Sequence, residues 1–222
     1  MRCVRIDFTK IGESKYISHL DLMRCMSRAV RRARLPMWYT EGFNPHPYMS
    51  FALPLSLGME SECESMDIRI EGDMTNEQVF SALKAVMPAG IDIIRVREPV
   101  FDPKAIAFGR FVVTFTGEFQ PGEFSALLVS LLEGGSLKSE KLSKQGRHKV
   151  MKEVDVSANI KQYKVNTAEN AVLLEVVLPA GSTVNINPSL VADAVKKALP
   201  DIAFTASILR KELLTAQMEV FR

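Results

Sequence analysis

Polar and apolar positions alternate in CVRIDFTK, with Val4, Ile6 and Phe8 on one side and Arg5, Asp7 and Thr9 on the other. A period of two with β-branched residues predicts a strand with one buried face. The pattern then changes to a helical period in ISHLDLMRCMSRAVRRARLP. At about 100° per residue, Leu22, Met26, Ala29 and Ala33 share one face with Met23 and Val30 at its edge, and Arg24, Arg28, Arg31 and Arg32 project from the other side. Ser18 with Asp21 three residues on resembles a capping box, and Pro36 is the expected stop. MWYTEGF is compatible with a strand leading into a Pro-rich loop, and SMDIRIEG alternates Met66, Ile68 and Ile70 as a strand does. TNEQVFSALKAVMPAG predicts a helix capped by Thr75 and Gln78, striped by Val79, Leu83 and Val86, and stopped by Pro88 and Gly90. IDIIRVREPV completes the order β-α-β-β-α-β, the ferredoxin-like motif.

VFDPKAIAFG reads as a linker turning at Asp102 and Pro103, after which the cycle begins again. RFVVTFTGEF is a strand, PGEFSALLVSLLEGG a helix ending at Gly134 and Gly135, and NAVLLEVVLPA a buried-type strand. NPSLVADAVKKALP is a helix capped by Asn187, and IAFTASILRKEL closes the order with a strand or a mixed end. The extra segment between them is polar and basic, and reads as two strands around a turn at Gly146. The expected class is therefore α+β, with tandem ferredoxin-like halves built on antiparallel sheets. The first half spans 1–100, and the second spans 101–222 with a basic excursion at 138–152. The two halves share element order and no residue-level identity.

Composition adds a boundary to this picture. With 47% hydrophobic and 24% charged residues in 222, the chain has the balance of a soluble globular protein with enough length for a core. No run approaches the roughly 18–20 apolar residues of a membrane span, and the charged start MRCVRIDFTK does not read as a signal peptide. Cys3, Cys25 and Cys63 are too few and too widely spaced for a disulfide framework or a CxxC site. Thiols packed as small apolar groups in a reducing cytoplasm are expected. The formal net charge of +2 does not by itself point to nucleic acid, so local placement has to decide.

Two placements are unusual. Five arginines fall between residues 24 and 34 with only Asp21 nearby to balance them. Arg24, Arg28, Arg31 and Arg32 on one helix face can grip phosphate oxygens through their guanidinium forks, or can form a solvated face. The stretch LKSEKLSKQGRHKVMK concentrates Lys138, Lys141, Lys144, Arg147, Lys149 and Lys152 against Glu140. Lys141, Lys144, Arg147 and Lys149 form a second candidate contact along a phosphate backbone, or a loop kept soluble by charge.

The stretch EGFNPHPYM supplies the remaining chemistry. Gly42 permits unusual backbone angles, and Pro45 and Pro47 fix φ on both sides of His46. Asn44 and His46 are then presented on a stiff loop. The imidazole suits proton transfer, metal ligation or contact with a base, and equally suits a turn in which it satisfies backbone groups. His19, at the start of the arginine helix, either packs locally or joins His46 as an acid–base pair. No third ligand at metal spacing accompanies the histidines, so no metal and no cofactor are expected. Glu60, Glu62 and Glu64 alternate on one strand face, read as outward. Gly181 and Ser182, before a helix, offer a weak phosphate site.

The segments SHLDLMR, RAVRRARLP, EGFNPHP and SFALPLSLG, with the acidic run ending in MDI, cover roughly residues 14–70. There the sequence resembles the bacterial radical-SAM-linked protein family, a domain of unknown function found free-standing or as an extension of radical S-adenosylmethionine proteins. Radical S-adenosylmethionine enzymes ligate a cluster through three close cysteines, usually CxxxCxxC, which this chain does not supply. The resemblance therefore implies that any such chemistry belongs to a radical S-adenosylmethionine partner. The element order, basic first helix and histidine loop are also similar to the CRISPR repeat-processing endoribonucleases. Those hold RNA between two ferredoxin-like domains and often use a histidine as acid or base. That group commonly has a glycine-rich loop near its C-terminus, where only Gly181 stands here. The expectation is an RNA-binding or RNA-maturation accessory protein that presents substrate to such a partner. The rivals are a metal-independent endoribonuclease using His46, and a protein-binding adaptor without RNA affinity.

Overall fold

A computed structural model describes residues 1–145, 148–181 and 184–222, and for 141–145 and 148–150 the backbone alone. The chain forms two units, Met1–Ile106 with Val220–Arg222, and Ala107–Glu219. Among the described residues the structure is mixed α+β, with four α-helices and mostly antiparallel strands.

In the first unit β1 (Arg2–Lys10), α1 (His19–Arg32), β2 (Met49–Phe51), β3 (Glu60–Ile70), α2 (Asn76–Lys84) and β4 (Ile93–Arg97) follow one another. The strands lie in the order β4-β1-β3-β2, each neighbouring pair antiparallel. Register places Val4 against Ile68 and Ile6 against Met66. These residues pack with Leu22, Met26 and Val30 of α1 and Val79 and Leu83 of α2 into one apolar core. Burying such side chains stabilises by about 1.5–3 kcal/mol each relative to exposure, so the helices are held to one face of the sheet.

Caps set the helix ends. Ser18 Oγ accepts from Asp21 N at 3.2 Å and donates to Asp21 Oδ2 at 2.7 Å. Thr75 and Gln78 form the full reciprocal capping box. Helix α1 stops at Arg32, ahead of Pro36, because Arg34 turns left-handed with φ of 53° and Leu35 N donates back to Val30 O. Helix α2 ends at Lys84, so Val86 lies beyond it.

The second unit contains β5 (Ile106–Gly117), α3 (Pro121–Glu133), β6 (Lys138–Gln145), β7 (His148–Asp155), β8 (Gln162–Ala168), β9 (Ala171–Pro179), α4 (Ser189–Ala198) and β10 (Phe204–Thr215). Its sheet order is β10-β5-β9-β8, while β6 and β7 pair with each other alone. With that pair set aside, both units place the last strand beside the first, then the third, then the second. Phe115, Phe124, Leu128, Leu174, Val176 and Val191 are buried in this unit. The segment read as a linker is partly strand, since β5 begins at Ile106 after a turn over Pro103–Ala105 capped by Asp102. Gly146 and Ser182, read above as a turn and a phosphate contact, lie outside the described residues, as does Arg147. Among the described residues no helix is long and apolar enough to cross a membrane.

Candidate functional site

Because α1 spends its apolar stripe on the sheet, its arginines have no core to enter. Arg24, Arg28, Arg31 and Arg32 are all exposed. Arg24 pairs with Asp21 at 3.0 Å, and Arg32 donates through Nη2 to the carbonyl of Val86. Arg28 and Arg31 make no hydrogen bond or ion pair with any described residue, which leaves two unclaimed guanidinium forks on one stripe. The Asp21 carboxyl is held below its ordinary pKa, first by the Ser18 hydroxyl and then by the Arg24 guanidinium.

Past Arg34 the chain enters a narrow two-sided arm. Tyr48 N donates to Trp38 O at 3.0 Å and Thr40 N to His46 O at 2.9 Å, and Tyr39 bridges Pro47. The apex, residues 41–46, is exposed, and Phe43 is 105% exposed. Gly42, with φ of 122°, turns the apex through a region closed to most side chains. His46 Nδ1 lies 3.1 Å from both Thr40 Oγ1 and Asn44 O, so this edge of the ring is tied to the arm and Nε2 is left for other contacts. Pro47 is buried, anchoring the arm below its apex.

His19 is elsewhere in its contacts. Its half-buried ring meets Phe51 edge-on at 5.2 Å, and Phe51 in turn meets Phe8 at 6.3 Å. No hydrogen bond or ring contact among the described residues joins His19 to His46.

The sheet face away from the helices carries a network that the polar half of the alternation pattern concealed. Arg5 is fully buried and grips Asp67 through two hydrogen bonds of 2.7 Å, and it donates to Arg222 O at 2.8 Å. Asp7 accepts from Arg95, Arg97 and Ser65, with the Arg97 Nε bond at 2.7 Å. Arg97 Nη1 is buried without a partner among the described residues. The Arg69 guanidinium lies over two adjoining aromatic rings, 4.3 Å from the Tyr48 centroid and 5.3 Å from that of Trp38. The signal in the sequence was the complementary sign of charges at polar positions on three strands: Arg5 and Asp7, Asp67 and Arg69, Arg95 and Arg97.

Several expectations need correction here. Glu64 does not face outward: it is 3% exposed, because it shares the parity of Met66 and Ile68 and so points to the core side. Cys3 is exposed rather than packed, and its thiol is pushed above the ordinary value, first by burial of its surroundings and then by Asp67. In the basic excursion, Lys138 pairs with Glu153 and Glu140 with Lys197, both at 3.1 Å. Lys141 and Lys144 stand on β6 opposite Lys152 and Lys149 on β7 in backbone register, and the side chains of Lys141, Lys144 and Lys149 lie outside the described residues, as Arg147 does altogether. Among the described residues no three His, Cys, Asp or Glu side chains gather where a metal could be held.

The fold is shared with a chain in the crystal structure of a Cbf5–Nop10–Gar1 complex, with a TM-score of 0.51 and 9% sequence identity. The similarity covers 95% of this chain and 48% of that one, so this chain spans about half of its neighbour's length. No curated protein sequence matches the chain. A family profile matches residues 3–188, which takes in the arginine helix, the arm and the basic hairpin, and the chain belongs to that family, DUF2344, an uncharacterized protein conserved in bacteria.

Proposed function

We propose that the protein binds RNA, gripping phosphates with the arginine face of α1 and stacking unpaired bases on the apex of the arm. The observation that carries this reading is the pair of unclaimed guanidinium groups, Arg28 and Arg31, on one exposed stripe of α1. The chain passes directly from that helix into an arm tipped by a solvent-exposed Phe43 and by His46. Basic side chains that follow a backbone together with exposed rings suit single-stranded RNA, whose bases are free to stack. Arg24 and Arg32 extend the track, and the β6–β7 hairpin with Lys141, Lys144, Arg147 and Lys149 supplies a second contact. Gly42, Asn44, Pro45 and Pro47 set the position of His46, which contacts a base.

The repeated strand order supports reading both units as ferredoxin-like halves, near 1–100 and 101–222. The resemblance across residues 14–70 supports a radical S-adenosylmethionine protein as the recipient of the bound RNA. Binding is the activity assigned: His46 Nδ1 is held by Thr40 and Asn44, and Nε2 is left to contact a base.

The test is binding of purified protein to a mixed pool of cellular RNA at two salt concentrations, with Arg28→Glu/Arg31→Glu alongside. Affinity that falls with salt and is lost in the double variant supports the reading. Absence of binding at low salt overturns it in favour of a protein-binding adaptor. Loss of intact RNA in the presence of EDTA, abolished by His46→Ala, overturns the assignment of binding without cleavage.

A further inference from the structure

We propose that the cleft on the polar face of the first unit's sheet binds a phosphate monoester, held by Arg69 and Lys104. The cleft has a volume of about 630 Å³ and is floored by β1 and β3 and walled by Tyr48, Ser50 and residues 99–104. That volume falls within the range of small-molecule sites, roughly 300–1,000 Å³.

One of its carboxylates is claimed on both oxygens, and two of its cations are unclaimed. Both oxygens of Asp67 are taken by Arg5, and Asp102 Oδ1 accepts from Lys104 N at 2.8 Å. Arg69, by contrast, is held by cation–π contacts with Tyr48 and Trp38, and its guanidinium N–H groups make no hydrogen bond with a described residue. Contact of this kind restrains the guanidinium and leaves its N–H groups to a ligand. The Lys104 side chain is exposed and forms no ion pair with a described residue, and the hydroxyls of Ser50 and Tyr48 add donors on the same wall. A fork, a point charge and two hydroxyls match the three terminal oxygens of a phosphate monoester dianion. The space beyond them, bordered by Pro99, Val100 and Phe101, takes the organic part of the ester.

The site does not depend on the RNA reading, because neither α1 nor the apex of the arm lines it. Cys3 offers a direct probe. It lies in the cleft as the cross-strand partner of Arg69 and is a free thiol, whereas Cys25 and Cys63 are outside the cleft. The experiment is alkylation of the full chain by a maleimide at constant ionic strength, with increasing inorganic phosphate and each cysteine followed by peptide mass.

Phosphate at about ten times its Kd should slow modification of Cys3 about tenfold, with Cys25 and Cys63 unaffected. Arg69→Gln should raise the phosphate needed by about tenfold or more, the expected effect of losing charged hydrogen bonds. Lys104→Ala, on an exposed turn, should do the same without disturbing the arm. Arg28→Glu/Arg31→Glu should retain full protection. A Cys3 rate indifferent to phosphate overturns the proposal, as does protection of equal strength in both the Arg69 and Lys104 variants. A 5′-phosphorylated oligoribonucleotide and its 5′-hydroxyl twin then separate the sources. Protection by the phosphorylated oligomer alone assigns the site to an RNA end, and protection by phosphate or a mononucleotide without the oligomer assigns it to a small metabolite. Either result keeps the site.

Discussion

Arg5 on β1 and Asp67 on β3 are cross-strand partners, joined fork to fork by two hydrogen bonds of 2.7 Å with Arg5 wholly removed from solvent. The Phe221 ring lies over the guanidinium, 4.4 Å from ring centroid to Cζ, and the carbonyl of Arg222 takes a further donor. The pair therefore ties the centre of the sheet to residues 220–222, and the neighbouring Arg69 has no ion pair among the described residues.

Breaking the pair from one side strands a buried charge. Arg5→Met is expected to lower stability by about 3–5 kcal/mol, and Arg5→Met/Asp67→Leu to recover much of that loss, because removal of both charges removes the desolvation penalty. Urea denaturation of the two variants and the parent measures this directly. A double variant no more stable than Arg5→Met would show that the network beyond Asp67, rather than the pair, sets the cost.

The arginines of α1 are not equivalent. Arg24 is already engaged by Asp21, whereas Arg28 is free to neutralise a phosphate. Arg28→Ala is expected to reduce the slope of log K against log salt by about 0.7, the value for one phosphate of a single strand. Arg24→Ala should change the slope less. Equal slopes in both variants and the parent would remove α1 from the RNA track.

Phe43 separates stacking from charge. Its ring contributes nothing to the core, being 105% exposed, so Phe43→Ala should leave the melting temperature unchanged. RNA affinity should fall by about 1–3 kcal/mol, the usual worth of a base–aromatic stack, with the salt slope unaltered. Filter binding across a salt series resolves the two effects. Unchanged affinity would mean that the apex of the arm faces something other than a base.

The parts of the fold that depend on local pattern were readable in the sequence. Val4, Ile6 and Phe8 announced the core face of β1, and Thr75 with Gln78 announced the start of α2, because both signals lie within a few residues. The end of α1 was misjudged because the left-handed turn at Arg34 acts before Pro36. The buried polar face was not readable from single strands. Arg5 and Asp7 look like solvent positions until β3 and β4 bring Asp67, Arg95 and Arg97 beside them across long stretches of chain. Glu64 was misassigned for a different reason: it shares the parity of Met66, Ile68 and Ile70, but the acidic run was read apart from their strand. The contact of Arg69 with Trp38 and Tyr48 depends on where the arm folds back, which no local period encodes.

Asp21 gives the start of α1 a pH dependence whose sign is fixed. Its carboxyl is depressed below the ordinary 3.8 by hydrogen bonds from the Ser18 hydroxyl and the Arg24 guanidinium. A depressed carboxylate contributes stability that is fully present above the unfolded-state value and disappears as pH falls through the lower folded-state value. Asp21→Asn removes the titration and keeps a side chain of similar size. The parent should therefore melt above Asp21→Asn at neutral pH, and the difference should close as pH falls through and below the ordinary carboxylate range. Thermal melts of both proteins across that range test the sign. A difference that stays constant into acid would assign the effect to the shape of the side chain, and the charge on Asp21 would then have no part in holding Ser18 and Arg24 at the head of the helix.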